Sequence, residues 1–340
     1  MTQRLRLEEA VQRLEQIAPL SLAADWDNVG LLVDGPPDHA IRRCLLTIDL
    51  TEPVLAEAID RGVDLIVAYH PPIFKPLHRL TRSHREGRLV LDALAARIAV
   101  HSPHTALDAA PGGVNDWLAS AFPGATVRCL QPTRTAAPER WVEGTATREE
   151  CAKLREHLPA GAGWVDLPEP GRFALRCRES ALAEVDARVR DVLGEGRSYD
   201  VFVLDRRAEL DRGQGRLAVL PQPMAIEDLV TVIKRQLGLE KIRCAIAPNH
   251  REGQSIRSVA LCAGAGGSVL MGADADLYWT GEMRHHDLLA ASASGISVVL
   301  GEHTNTERGY LKVLEHRLRE DWPGVDVIRS SIDRDPVAIL

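Results

Sequence analysis

Residues 64–72 read Asp64-Leu-Ile-Val-Ala-Tyr-His70-Pro-Pro72. Asp64 to Ala68 is a short apolar run, the pattern of a strand covered on both faces. Two prolines stop it, since proline has no N–H to give to a sheet ladder, and they leave His70 at the strand's carboxyl end. Around this stretch the first third of the chain alternates strands with amphipathic helices. Cys44 to Ile48 reads as a strand, Pro53 to Arg61 and Gly87 to Arg97 as helices, and Ile98 to His101 as another strand. Such a βαβα rhythm predicts a mainly parallel sheet with helices on its faces.

The last third repeats the rhythm through Ser258–Ala263, 267–272, Asp276–Trp279, Asp287–Ala291 and Ile296–Leu300. A helix over Thr306–Arg319 and a strand near Val325–Ser330 close it. Between the two lies a different texture. Leu130 to Pro138 is rich in Pro, Thr and Ala and reads as a linker. Strands over Arg140–Thr145, Arg172–Cys177 and Tyr199–Leu204 alternate with helices over Arg148–Leu158 and Ser180–Leu193, which suggests a small ferredoxin-like or split-βαβ module. Asp211 to Gly215 reads as a loop returning to the main domain. The expected organisation is one α/β domain built from both chain ends, residues 1–130 and 214–340, with an inserted α+β module over 138–210.

With 340 residues, 45% of them hydrophobic, the chain can build a large core without disulfides. The six cysteines show no C-x-x-C spacing, so they predict neither a zinc ribbon nor a redox motif; buried free thiols in a reducing compartment are the plain expectation. A net charge of −7 gives no reason to expect nucleic acid as the main partner, although it does not describe local patches. The first twenty residues read as an amphipathic surface helix with acidic residues rather than a leader, and no apolar run is long enough for a membrane span. The expected location is the cytoplasm.

Three segments place metal-competent side chains just after expected strands: His70; His104 with Asp108 in His101-Ser-Pro-His104-Thr-Ala-Leu-Asp108; and His303 with Glu307 in Leu300-Gly-Glu-His303-Thr-Asn-Thr-Glu307. Ligands of open α/β sheets bind beyond the carboxyl ends of strands, so the three segments are expected to converge on one edge. Each His–carboxylate pair is spaced by four, which sets both side chains on one helical face. Any one of these features also fits a packed or capping histidine or a surface pair; the joint placement points to a site. Three histidines and two carboxylates form a borderline-to-hard donor set that suits Zn, Fe, Mn, Co or Ni, and paired ions held this way activate water for hydrolysis.

Two further segments border that edge. Tyr278-Trp-Thr280-Gly-Glu282-Met-Arg-His285-His286-Asp287 offers Glu282 and His286 as proton-moving groups, and equally fits a capping Thr280 with two exposed histidines. Ala263-Gly264-Ala-Gly266-Gly267-Ser268 could present backbone N–H groups of Gly264, Gly266, Gly267 and Ser268 to an anion; a tight turn explains the glycines as well. Asp25-Trp-Asp-Asn-Val-Gly30 sets an aromatic among carboxylates ahead of a strand, as a substrate-holding loop would.

Taken in order, Trp26-Asp-Asn-Val-Gly-Leu-Leu-Val33, His70-Pro-Pro-Ile-Phe74, His104-Thr-Ala-Leu-Asp-Ala-Ala-Pro-Gly-Gly-Val-Asn115, Gly264-Ala-Gly-Gly-Ser268, Thr280-Gly-Glu282, His286-Asp287 and His303-x-x-x-Glu307 resemble the NIF-three-like family. Its members are also known as GTP cyclohydrolase I type 2 homologues or dinuclear-metal-centre hexameric proteins. The resemblance implies an α/β domain holding one or two divalent ions on His70, His104, Asp108, His303 and Glu307, within a toroidal homohexamer. It implies an insert similar to PII or CutA proteins, matched here by Arg140–Leu204 with Ser198-Tyr-Asp-Val-Phe202. Many bacterial members carry His-His-Pro where this chain has Tyr69-His70-Pro71, as the eukaryotic-type subgroup does; the second ion then depends on what Tyr69 supplies. The activity implied is metal-dependent hydrolysis of a nucleotide or related heterocycle. A metal-holding scaffold acting through protein partners, or a metal store, would use the same residues.

Overall fold

The computed structural model describes residues 5–133, 139–194, 196–204 and 211–337. They form two compact units, one from 5–133 with 211–337 and the other from 139–204.

The larger unit contains two main sheets where a single sheet edge was expected. The first has five strands in the order Asp326–Arg329, Arg43–Thr47, Leu65–Ala68, Ala99–Ser102, Gly30–Val33. The first four run parallel, and Gly30–Val33 pairs antiparallel at the edge. The second has six strands in the order Arg243–Ala245, Ser297–Leu300, Leu277–Thr280, Ile256–Cys262, Gly213–Met224, Thr126–Pro132. Its parallel centre is Ser297–Leu300, Leu277–Thr280 and Ile256–Cys262. Each half of the chain lends a strand to the other's sheet, since Asp326–Arg329 pairs with Arg43–Thr47 and Thr126–Pro132 with Gly213–Met224.

The period-two alternation of strand side chains sorts the cores. Leu45, Ile66 and Val100 pack with Val54, Leu55, Leu89 and Val90 of the helices Glu52–Asp60 and Arg85–Ala95. Their neighbours Leu46, Val67 and Ala99 join Val259, Leu261, Trp279 and Val299 of the second sheet in one continuous core, together with the helices Leu7–Ile17, Ile226–Leu237 and Leu311–Asp321. The other face of the second sheet, with Ala260, Tyr278 and Val298, forms its own cluster.

Two expectations at the domain junction are corrected. Leu130 to Pro132 belong to a strand rather than a linker, and Gly213 to Gly215 open the long strand rather than forming a loop; Gly213 pairs with Pro132 and Gln214 with Gln131. Thr126–Pro132 is the outermost strand, where a proline can sit without breaking a ladder on both sides, so a linker-like composition conceals it. The remainder of the expected linker, 134–138, lies outside the described residues. The expected helix over Thr306–Arg319 is divided into Asn305–Arg308 and Leu311–Asp321. Gly309 between them lies so close to Trp117 that a Cβ would stand 2.3 Å from the indole.

The smaller unit runs strand Glu139–Thr145, helix Arg148–Glu156, strands Ala162–Val165 and Arg172–Arg178, helix Leu182–Leu193 and strand Tyr199–Leu204. Its antiparallel sheet has the order Tyr199–Leu204, Glu139–Thr145, Arg172–Arg178, Ala162–Val165. The sequence reading lacked Ala162–Val165, four residues beside Gly161 with no alternation to mark them. Thr147 and Glu150 form a reciprocal capping box at 2.7 and 3.2 Å, and Val142, Leu154, Phe173, Leu175, Val185 and Val189 fill the core.

Candidate metal centre

Strand Leu65–Ala68 runs directly into Tyr69 and His70, whose amides still bond to the carbonyls of Thr47 and Ile48 at 2.9 and 3.0 Å. The neighbouring strand thus fixes where the imidazole stands. Strand Ala99–Ser102 passes through Pro103 to His104, which opens the helix His104–Ala109 that carries Asp108. Strand Ser297–Leu300 leads through Glu302 to His303, and Glu307 follows in Asn305–Arg308. His104 has φ +25° and Glu302 φ +64°, backbone that non-glycine residues adopt only where surroundings impose it. The Glu302 carboxylate accepts from the Arg243 guanidinium at 2.6 and 3.1 Å.

All five sequence-derived residues, His70, His104, Asp108, His303 and Glu307, line one cavity of 610 Å³. They arrive from the carboxyl ends of two sheets rather than along one edge. The ring of His70 lies 5.2 Å from His104 and 5.4 Å from His303. His70, His303 and Glu307 offer ligand atoms all within 4.8 Å of one another, a group that could hold a metal ion.

Each histidine is held from behind by a carboxylate. His70 Nδ1 lies 2.9 Å from Asp49, His104 Nδ1 2.8 Å from Asp27 and His303 Nδ1 2.8 Å from Glu282. With Nδ1 engaged, Nε2 of His70 and of His303 each faces Glu307 at 3.4 Å. A carboxylate on the far nitrogen is the arrangement that orients metal-ligating histidines and fixes their tautomer. Glu307 is 2% exposed, and its Oε2 makes no hydrogen bond. A buried carboxylate oxygen without a donor is costly, and a cation between Glu307 and the two Nε2 atoms would satisfy it. The donor set therefore fits a metal.

The titration behaviour follows from this crowding. Burial disfavours the His70 imidazolium, but the hydrogen bond to Asp49 and the nearby negative charge of Glu307 outweigh that and raise the pKa to about 10. Burial would also raise Asp49 and Asp27; hydrogen bonds from His70 to the first, and from His104 and Thr105 to the second, bring both below the ordinary carboxylate value. Asp108 is pushed up to about 6, first by burial and further by Glu307, against the lowering effect of its hydrogen bond with Tyr69. Tyr69 donates its hydroxyl to Asp108 at 2.5 Å, and burial foremost holds its pKa well above the ordinary tyrosine value. In this geometry the Tyr69 hydroxyl positions the Asp108 carboxylate.

The glycine-rich loop is shaped by the same group. Gly264 has φ +61°, and a Cβ there would stand 2.6 Å from Glu307 Oε1 and 3.0 Å from His303 Nε2. Its N–H donates to Thr306 at 2.8 Å, and that of Gly266 to Thr280 at 3.0 Å. Gly264, Gly266 and Ser268 line the cavity, whereas Gly267 lines an adjoining hollow with Glu282. Glu282 is exposed at the rim. His286 is exposed on the helix His285–Ala293, its ring 5.6 Å from His285, and does not line the cavity.

Sequence reasoning did not mark Asp49, Asn115 as a bridge, or the C-terminal segment. Asn115 donates to the Asp108 carbonyl at 3.1 Å and accepts from Ala263 N–H at 2.9 Å, joining the Asp108 segment to the glycine-rich loop of the second sheet. Asp333 accepts from Ile48 N–H and from Arg308, both at 2.7 Å, so a single carboxylate ties the neighbour of Asp49 to the neighbour of Glu307. The one available signal was positional: Asp49 lies two residues beyond a strand end, as His70 and His104 do.

The family model described as Duf34/NIF3 (NGG1p interacting factor 3) matches residues 5–336. NIF3-like protein 1 of Rattus norvegicus is 40% identical over 350 residues, covering 98% of this chain and 93% of that protein. NGG1-interacting factor 3 of Saccharomyces cerevisiae is 30% identical over 349 residues, covering 99% and 98%. The crystal structure of a Bacillus cereus protein related to NIF3 superposes with a TM-score of 0.69 at 25% identity over 100% of both chains. Among the described residues no helix is long and apolar enough to cross a membrane.

Proposed function

The chain belongs to the Duf34/NIF3 family, and on that premise we propose that its cavity is the centre of a divalent-metal-dependent hydrolase acting on a nucleotide or related heterocycle. The observation that carries the reading is the buried, donorless Oε2 of Glu307 among histidines pinned at Nδ1. His70, His303 and Glu307 would hold the first ion; His104 and Asp108, on the same cavity, would serve a second. Zn, Fe, Mn, Co and Ni all suit these donors. A divalent ion supplies Lewis acidity and makes water a nucleophile near neutral pH. The chain's own groups do the rest. Tyr69 orients Asp108, and Asp49 and Asp27 set the histidine tautomers. Of the two proton-moving candidates, Glu282 is the better placed, touching His303 and opening to solvent; His286 would act only on a substrate reaching the exposed helix. The amides of Gly264, Gly266, Gly267 and Ser268 remain an anion-binding proposal for whichever N–H groups the loop does not itself use.

The smaller unit, by its strand and helix order, reads as a ferredoxin-like module similar to PII and CutA proteins. Assembly as a homohexamer rests on the family resemblance, and a cytoplasmic location on the cysteine pattern and the acidic N-terminal helix. A second reading, a non-catalytic metal-holding scaffold, is favoured by the yeast relative's name, which describes a protein interaction.

Turnover of GTP and other nucleotides by the metal-loaded protein separates the two. Hydrolysis is expected in the wild type and at least about a hundredfold less in His104→Ala and Glu307→Ala. Stoichiometric metal with no turnover would favour the scaffold, and activity persisting in both variants would overturn the hydrolase.

A further inference from the structure

The mouth of the metal cavity carries an exposed aromatic pair that the metal site does not use. Trp26 is 64% exposed and Phe74 48%, and both line the cavity. Their rings stand 5.9 Å apart at 55°, and Trp26 also meets the edge of His104 at 6.0 Å. Large aromatics left to water at a functional opening are informative in a way that scattered apolar residues are not.

These rings are held in place. Asp27, next to Trp26, is fixed by His104 and by the Thr105 N–H at 2.8 and 3.1 Å. Asn28 donates to the carbonyl of Ile73, next to Phe74, at 2.5 Å. One strut therefore anchors the Trp26 segment to a metal-site histidine, and another ties it to the Phe74 segment. A receptor fixed in advance loses little entropy on binding.

Phe74, Pro71 and His70 are shared with a second hollow of 510 Å³. Lys75 and Arg85 line it, as do Asp49 and Glu86. Asp49 is engaged by His70, and Arg85 by Glu52 at 3.4 Å. Lys75 is exposed and among the described residues has no carboxylate partner. An aromatic platform thus stands at the mouth of the metal cavity, and an uncommitted cation follows it in sequence within the adjoining hollow.

We propose that the open face of Trp26, buttressed by Phe74, stacks a planar heteroaromatic ring at the metal cavity while Lys75 receives the ligand's anionic arm. The ligand class is a ring of nucleobase type bearing phosphate. The proposal deepens the hydrolase reading and rests on it for the choice of nucleotide. Every base has a π-face, so the platform selects for planarity, and loss of one stacking aromatic typically costs about tenfold or more in affinity. The lysine selects for charge and makes that part of the binding salt-dependent.

The test is equilibrium binding of GTP and guanosine to the full chain in excess chelator, where catalysis is silent. The wild type is expected to bind both, GTP more tightly. Trp26→Ala should weaken both about tenfold, and Trp26→Phe should retain most of the affinity. Lys75→Ala should weaken GTP severalfold, leave guanosine unchanged and flatten the salt dependence. Failure of the wild type to bind either probe, or wild-type affinities in Trp26→Ala and Lys75→Ala, would overturn the proposal. Binding that follows this pattern without turnover after metal loading would instead overturn the hydrolase reading alone.

Discussion

The metal cavity and the smaller unit are both rich in charged side chains, and they spend them in opposite ways. In the smaller unit Arg172 pairs with Glu143 and Glu169, Lys153 with Glu149, and Arg188 with Asp191 at 2.9–3.3 Å, mostly at helical or cross-strand spacing and open to solvent. These are surface ion pairs worth about 0–1 kcal/mol each. Around the cavity the carboxylates Asp27, Asp49 and Glu282 grip histidines by one nitrogen, and Glu307 is buried with one oxygen unpaired. The difference separates charge left to solvent from charge gathered on three histidines and a buried carboxylate, of which His70, His303 and Glu307 could hold a metal ion. A count of charged residues would not reveal it; the direction of their hydrogen bonds does.

That contrast can be sharpened by substitution. Asp49→Asn keeps the shape but weakens the acceptor behind His70, and losses of about 10- to 100-fold in metal affinity are typical when such a partner is removed. Titration calorimetry with Zn or Mn would measure it. An unchanged affinity would mean that His70 is not oriented from behind.

Asp333→Ala should act on both stability and metal. It strands the Ile48 N–H and leaves Arg308 without its 2.7 Å partner, which is expected to cost about 1–3 kcal/mol in denaturant unfolding, with a smaller loss of metal affinity. The smallest effect belongs to the other region. Arg172→Ala should change stability by no more than about 1 kcal/mol and leave metal binding untouched; a measurable metal defect there would break the comparison.

Much of the site was legible in the sequence because its ligands follow strands that periodicity reveals. Asp64–Ala68 is apolar, prolines mark its end, and the i,i+4 pairs His104/Asp108 and His303/Glu307 keep their spacing as they enter short helices. What the sequence concealed depends on tertiary approach. Nothing near Asp49 says that it will meet His70, twenty-one residues on. Nothing at Tyr69 says whether its hydroxyl will bind metal or, as the fold has it, grip Asp108. The edge strand Thr126–Pro132 was obscured by a composition suited to linkers, and division of the core between two sheets cannot be read from a βαβα rhythm common to both. The glycines of the 264–267 loop were ambiguous between anion cradle and turn; close approach to Glu307 accounts for Gly264.

We propose that His70, His303 and Glu307 converge because a metal ion belongs between them. Elemental analysis of protein purified without chelator, paired with a metal-edge anomalous map, tests it most directly. At least one divalent ion per chain, bounded by these three residues, is expected, with its loss in Glu307→Ala protein that remains folded. Protein free of metal after exposure to Zn, Fe, Mn, Co and Ni, or undiminished occupancy in Glu307→Ala, would contradict it.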